Sequence, residues 1–247
     1  MKSLFIFKQF VLLLCLVVAS SSYGQTDEME KIHRDIEGNW ITLEEFNAYE
    51  FLGEYASPIP DFGKDKKGFR KFWRKYKKNK SEGIQLQRIE GAELEQKLNE
   101  TLNRLKVEDN LGKELPIFLA TDLNGESYDI SKLRGKVLVF NYWFTACLPC
   151  LMEVSALNKL VEKYKNNNDV VFISFAPDPI DKLKKHLKEE HFLYPTVHFS
   201  EDLRSKMKLQ SYPTNVVIDR NGKYIYESKG VGFGSVGLLD RAIKKAL

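Results

Sequence analysis

Apolar residues along this chain keep two different rhythms, and the change from one to the other locates its centre. Over residues 137–143 β-branched and aromatic side chains run almost unbroken, with the composition and length of a buried strand. Directly after it, Leu151, Val154, Leu157, Leu160, Val161 and Tyr164 recur at helical spacing, predicting a helix that opens near Cys147. A second buried strand is expected over 170–175, then a helix over 180–190, a short strand over 194–199 and a helix over 201–209. Asn124-Gly125 lies between apolar runs at 116–119 and 127–130, and Asn221-Gly222 between runs at 214–219 and 223–227. Each Asn-Gly pair is a hairpin signal. A turn at Arg134-Gly135-Lys136 leads into the first buried strand, and a helix over 235–246 closes the chain. Strands alternating with helices, with hairpins at both ends, predict an α/β fold: a central mixed β-sheet flanked by helices.

The preceding segment, residues 25–110, has another texture: polar and mostly helical. Thr42-Leu43-Glu44-Glu45 has the form of a capping box at a helix start. Phe69, Phe72, Trp73 and Tyr76 fall on one helical face of the basic stretch 64–80. Such a face either packs on the protein's own body or meets an anionic membrane surface. Leu94, Leu98, Leu102 and Leu105 stripe a further helix over 90–106. The segment's role is not readable from its residues.

At the N-terminus, Lys2 and Lys8 precede an apolar run over 10–19 and then small residues. This predicts a secretory signal peptide over residues 1–24, since the run is too short to span a bilayer. A lipid anchor on Cys15 is the alternative, disfavoured by bulky Leu14 where such signals carry a small residue. Once the leader is gone, only Cys147 and Cys150 of the three cysteines remain. One close pair in an exported chain implies thiol chemistry rather than a disulfide-stapled scaffold. The formal net charge of +4 decides little, and nucleic-acid binding fits poorly with export.

A strand that turns into a helix through Cys147-Leu148-Pro149-Cys150 sets the first sulfur at the helix N-terminus. There, unpaired N–H groups and the helix dipole favour a thiolate, the nucleophile of disulfide exchange. Cys150, one turn later on the same face, is placed to resolve a mixed disulfide. Glu153 follows by three residues in register with Leu157, Leu160 and Tyr164, and has no Lys or Arg at i±3 or i±4. A carboxyl so placed is a candidate proton relay for the buried thiol; the plainer alternative is a solvated helix glutamate. Two other chemistries compete. His186 and His191 with the cysteine pair superficially resemble a zinc site, but the gap is long and residues five apart on a helix diverge by roughly 140°; a copper chaperone would need a third ligand and wider cysteine spacing. A thiol peroxidase would use Thr145, but no proline stands between Phe118 and Leu148 to frame the peroxide.

Residues 115–247 resemble the TlpA/ResA-type thiol–disulfide oxidoreductases, which have a thioredoxin-like fold. The resemblance is carried by DLNGESYDISKLRGKVLVFNYWFTACLPC, by Glu153 on the family's active-site glutamate, by Asn141, by Tyr212-Pro213-Thr214 and by TNVVIDRNGKYIY. It implies a thioredoxin-like domain over 111–247, with Cys147, Cys150 and Glu153 catalytic. It also implies a cis bond before Pro213, with Trp143, Tyr212 and Pro213 flanking the substrate. The redox-active disulfide would be the sole redox group, with no bound cofactor or metal. The implied partners are oxidised cysteine-containing exported proteins and a membrane thiol electron donor, the location periplasmic. Pro149 before the second cysteine, as in reducing members, points to a disulfide reductase. Phe144-Thr145-Ala146 departs from the tryptophan-bearing lead-in usual before the first cysteine, and Val154-Ser155 lacks the proline that often follows the glutamate.

Overall fold

The computed structural model describes residues 33–35, 37, 39–53, 55–56, 84–105, 109–208 and 211–247. The expected leader over 1–24, Cys15 and the aromatic stretch 64–80 lie outside the described residues. The chain forms two compact units: described residues up to Phe46 with Tyr55–Ile89, and Asn47–Glu54 with Glu90–Leu247.

In the first unit β1 (His33–Arg34) pairs antiparallel with β2 (Trp40–Ile41) and parallel with β4 (Ile84–Gln85). β3 (Tyr55–Ala56) pairs antiparallel with β5 (Gln87–Arg88). The expected capping box is present at the start of α1 (Leu43–Leu52). The Glu45 N–H donates to Thr42 Oγ1 at 3.1 Å, and the Thr42 N–H donates to Glu45 Oε2 at 2.9 Å. Among its described residues the region is thus partly helical, with two-residue strands too short to leave a period in the sequence.

The second unit holds a five-stranded sheet in the order β10-β9-β8-β11-β12. β8 (Val137–Tyr142) is central and buried along its whole length. β9 (Val170–Ala176) and β10 (Thr196–His198) run parallel to β8, whereas β11 (Thr214–Ile218) is antiparallel to β8 and to β12 (Tyr224–Lys229). A hairpin of β6 (Leu119–Thr121) and β7 (Ser127–Asp129) precedes this sheet. Its first strand falls three residues later than the sequence predicts, because Leu119 is solvent-exposed while Ala120 is buried. The pleat sends Leu138, Phe140 and Tyr142 into one apolar layer with Phe175, Val216 and Ile218. Asn141 and Trp143 therefore face the other way, toward α3 (Leu148–Tyr164).

Helices α4 (Ile180–Glu189), α5 (Glu201–Met207) and α6 (Ser235–Ala246) complete the layers. The unit reaches back past the expected boundary at 110/111, because α2 (Gly91–Leu105) packs on α6 and β12. Leu98 and Leu105 of its leucine stripe are buried there, and Arg241 forks onto Glu95 at 2.6 and 3.1 Å. Gly237 explains one helix-interior glycine: a Cβ there would lie 2.2 Å from the Leu52 carbonyl oxygen.

Asp240 on α6 ties the helices of one sheet face together. It accepts from Tyr164 Oη at 2.8 Å and Lys163 Nζ at 2.7 Å on α3, and pairs with Lys244 Nζ at 2.8 Å. Asp240 and Tyr164 are both buried. A hydrogen bond to a charged group is worth about 1.5–3 kcal/mol. Tyr164→Phe should thus cost roughly 1–2 kcal/mol in urea unfolding, and Asp240→Ala about 2–3 kcal/mol. Equal losses for the two variants would mean that the lysines contribute nothing.

Candidate active site

The site grows out of the end of β8. Cys147 caps α3 with an extended backbone, φ −86° and ψ 90°, and Pro149 occupies the first turn, where its missing N–H costs nothing. The Cys147 N–H donates to the Phe144 carbonyl at 3.0 Å, and the Cys147 carbonyl accepts from Cys150 N–H at 2.9 Å and Leu151 N–H at 3.0 Å. Cys147 and Cys150 form a disulfide with S–S 2.04 Å and Cα–Cα 5.3 Å. Both are buried, at 4 % and 2 % exposure, with Trp143, Ala176 and Leu183 around them and exposed Ala146 beside them.

Glu153 lies one turn further along α3 and is fully buried. Its partners are neutral amides from the two central strands, on a row fixed by the register Asn141↔Asn215. Asn141 Nδ2 donates to Glu153 Oε1 at 3.0 Å and to Asn215 Oδ1 at 2.9 Å, and Asn215 Nδ2 reaches both carboxyl oxygens at 3.2 Å. Loss of water pushes the carboxyl up from 4.5 to about 8; the two amide donors pull it down but carry no charge to offset burial. At neutral pH the carboxyl mostly holds its proton. A group that is protonated near pH 7 and titrates just above it, behind a dithiol, can both give and take a proton there.

The remaining expected residues divide. Tyr212–Pro213 is a cis bond. Pro213 is buried, and half-buried Tyr212 meets Phe144 edge-on at 5.4 Å. Trp143 is 2 % exposed: its ring lies inside the cluster that holds the disulfide, with Nε1 donating to Ser174 Oγ at 3.2 Å. His186 packs against Trp143 at 5.6 Å. Among the described residues no group of three His, Cys, Asp or Glu converges as a metal site would require. Two features went unread in the sequence. Asn215 could have been found as the one amide in the apolar strand TNVVI. The bond between Thr145 and Asp178 joins residues 33 apart and left no local signal.

The Glu153 environment fixes a pH dependence. Below about pH 4.5 the carboxyl is protonated in folded and unfolded chains alike; from there to about 8 only the folded chain keeps its proton. Its contribution to stability is thus full at low pH and is lost as pH rises through that window, at about 1.4 kcal/mol per pH unit. Urea unfolding of oxidised Glu153→Gln against the parent from pH 4 to 9 should show the variant gaining relative stability with rising pH. A constant difference would mean that the carboxyl does not titrate in this range.

The redoxin family matches residues 110–235, just over half of the chain. Thiol–disulfide oxidoreductase ResA of Bacillus thuringiensis subsp. konkukian is 33 % identical over 122 residues, covering 49 % of this chain and 70 % of its own length. Thioredoxin-like protein YneN of Bacillus subtilis is 27 % identical over 127 residues, covering 51 % and 75 %. The solution structure of a Bacteroides thetaiotaomicron protein described as a protein disulfide isomerase superposes with TM-score 0.53 at 26 % identity, over 58 % of this chain and 93 % of that one. A Chlorobium tepidum thiol:disulfide interchange protein, DsbE, gives 0.51 at 22 % identity, over 56 % and 97 %, and shares the fold. The sheet order, the cysteine pair capping its helix and these similarities agree: the chain belongs to the redoxin family, as a ResA-type thiol–disulfide oxidoreductase with a thioredoxin-like fold.

Proposed function

We propose that this oxidoreductase is an exported disulfide reductase working through Cys147 and Cys150. The Cys147 thiolate attacks one sulfur of a client disulfide, forming a mixed disulfide and expelling the client's other sulfur as a thiolate, which takes up a proton. Cys150 gives its proton to the ionised fraction of Glu153, small at neutral pH and growing as pH approaches about 8, and then attacks Cys147 Sγ. The enzyme disulfide closes and the second client sulfur leaves and is protonated. Two electrons and two protons have passed to the client, and a membrane thiol donor restores the dithiol.

The observation that carries this reading is the buried, proton-holding Glu153 one turn from Cys150, braced by amides. A neutral or negative carboxyl offers no positive charge to stabilise a thiolate, so the dithiol form is not favoured over the disulfide. Strong oxidants of this fold work by stabilising the reduced form. Pro149 supports the same direction. Clients are oxidised cysteines of exported proteins, apocytochromes among them, and the periplasmic location rests on the leader expected over 1–24. Among the described residues no helix is long and apolar enough to cross a membrane.

Equilibrating the mature protein with glutathione or dithiothreitol should give a reduction potential near or below about −250 mV. A value near −120 mV, in the range of about that of a disulfide-forming oxidant, would reverse the direction. Cys150→Ala should accumulate a mixed disulfide through Cys147, visible by non-reducing electrophoresis and mass mapping.

A further inference from the structure

Two connections leave the same end of the parallel pair β8 and β9. One, residues 144–146, leads into Cys147; the other, residues 177–179, leads into α4. Asp178 bridges them. Its Oδ2 accepts from the Thr145 backbone N–H at 2.9 Å, and its Oδ1 accepts from the Thr145 hydroxyl at 2.7 Å. Lys182, one turn into α4, reaches the same Oδ1 at 2.7 Å. The Asp178 side chain is only 9 % exposed. Burial pushes its carboxyl up, but the bonds from Lys182 and Thr145 outweigh that and hold it below the usual range, as an anion.

The turn before Cys147 has little else to hold it. Cys147 makes no side-chain capping bond, and Ala146 is exposed with no polar group to anchor. Apart from the Cys147 N–H bond to the Phe144 carbonyl and the packing of Phe144 on Tyr212, the polar fixation of the turn runs through Thr145. We infer that Asp178 is a positioning residue for Cys147: it clamps both polar atoms of Thr145, fixes the turn that carries the attacking sulfur, and sets a negative charge beside it. The inference rests on the assignment of Cys147 as the attacking sulfur. The charge opposes the helix N-terminus, disfavouring the thiolate. Of the other titratable groups, His186 on α4 packs on Trp143, Tyr212 beside Pro213 packs on the cluster that holds the sulfurs, Lys182 pairs with Asp178, and Glu153 lies one turn beyond Cys150.

The test uses the reduced mature chain with Asp178→Asn, Asp178→Ala and Thr145→Val. Two rates are followed: iodoacetamide alkylation against pH, with the modified cysteine identified by mass spectrometry, and reduction of insulin disulfides above the alkylation midpoint, where thiolate fractions no longer differ. Both Asp178 variants should move the alkylation midpoint to lower pH, while Thr145→Val, which keeps the carboxylate, leaves it in place. Insulin reduction should fall about tenfold in Asp178→Ala, as misplacing a reacting group by a fraction of an ångström does. It should fall about threefold or less in Asp178→Asn and Thr145→Val, which each keep part of the clamp, at roughly 0.6 kcal/mol per threefold. Alkylation profiles and insulin rates within twofold of the parent in both Asp178 variants, even with lower melting temperatures, would overturn the inference. Alkylation at Cys150 instead of Cys147 would overturn the assignment on which it rests, a separate failure.

Discussion

A carboxyl stripped of water and given only amide partners dominates this molecule. Glu153 has no cation to neutralise it and no solvent to spread its charge, so the folded chain favours its protonated form. Everything around it is arranged to keep it there. The pleat of β8 turns Asn141 inward, the antiparallel register with β11 brings Asn215 alongside, and the apolar stripe of α3 seals the helix on the sheet. The burial that raises the carboxyl also buries Cys150, so proton and thiol chemistry share one dry compartment.

The sheet topology decides where that compartment opens. β8 and β9 run parallel, so their following connections emerge together, and the cysteine turn and the Asp178 turn come within hydrogen-bonding distance. β11 runs the opposite way, so its beginning, immediately after Pro213, arrives at the same end. Three connections distant in sequence thus frame one disulfide, an economy typical of sheets whose sites lie beyond the carboxyl ends of parallel strands. The face away from Glu153 carries the larger aromatic layer, with Tyr142 stacked on Phe175 at 5.1 Å, which holds the strands that position the site.

Much of this was legible along the chain. The change from unbroken to helical apolar spacing located Cys147 at a helix start, the two Asn-Gly pairs located hairpins, and the capping box at Thr42 and Glu45 formed as written. These signals are local, set by propensity, pleat and turn chemistry over a few residues. Glu153 was legible in part: its register with Leu157 and Leu160 pointed it inward, but not to what would meet it. Trp143 shows the limit in the other direction. It stands as the last residue of a buried run beside the cysteines, but that α4 would pack over its ring was not legible there. The leucine stripe of α2 announced a buried face without naming α6 and β12 as its partners.

From β6 onward the sequence by itself determined the order of strands and helices, along with the cysteine pair at a helix N-terminus and the class of chemistry, because each depends on residues within a turn or a strand of one another. Tertiary structure alone decided that Glu153 meets Asn141 and Asn215, that Asp178 holds the turn before Cys147, and that Asp240 joins two helices. Those contacts span from 12 to 77 residues of chain. Sheet register and helix packing bring such groups together, and both are properties of the whole fold that no local pattern encodes.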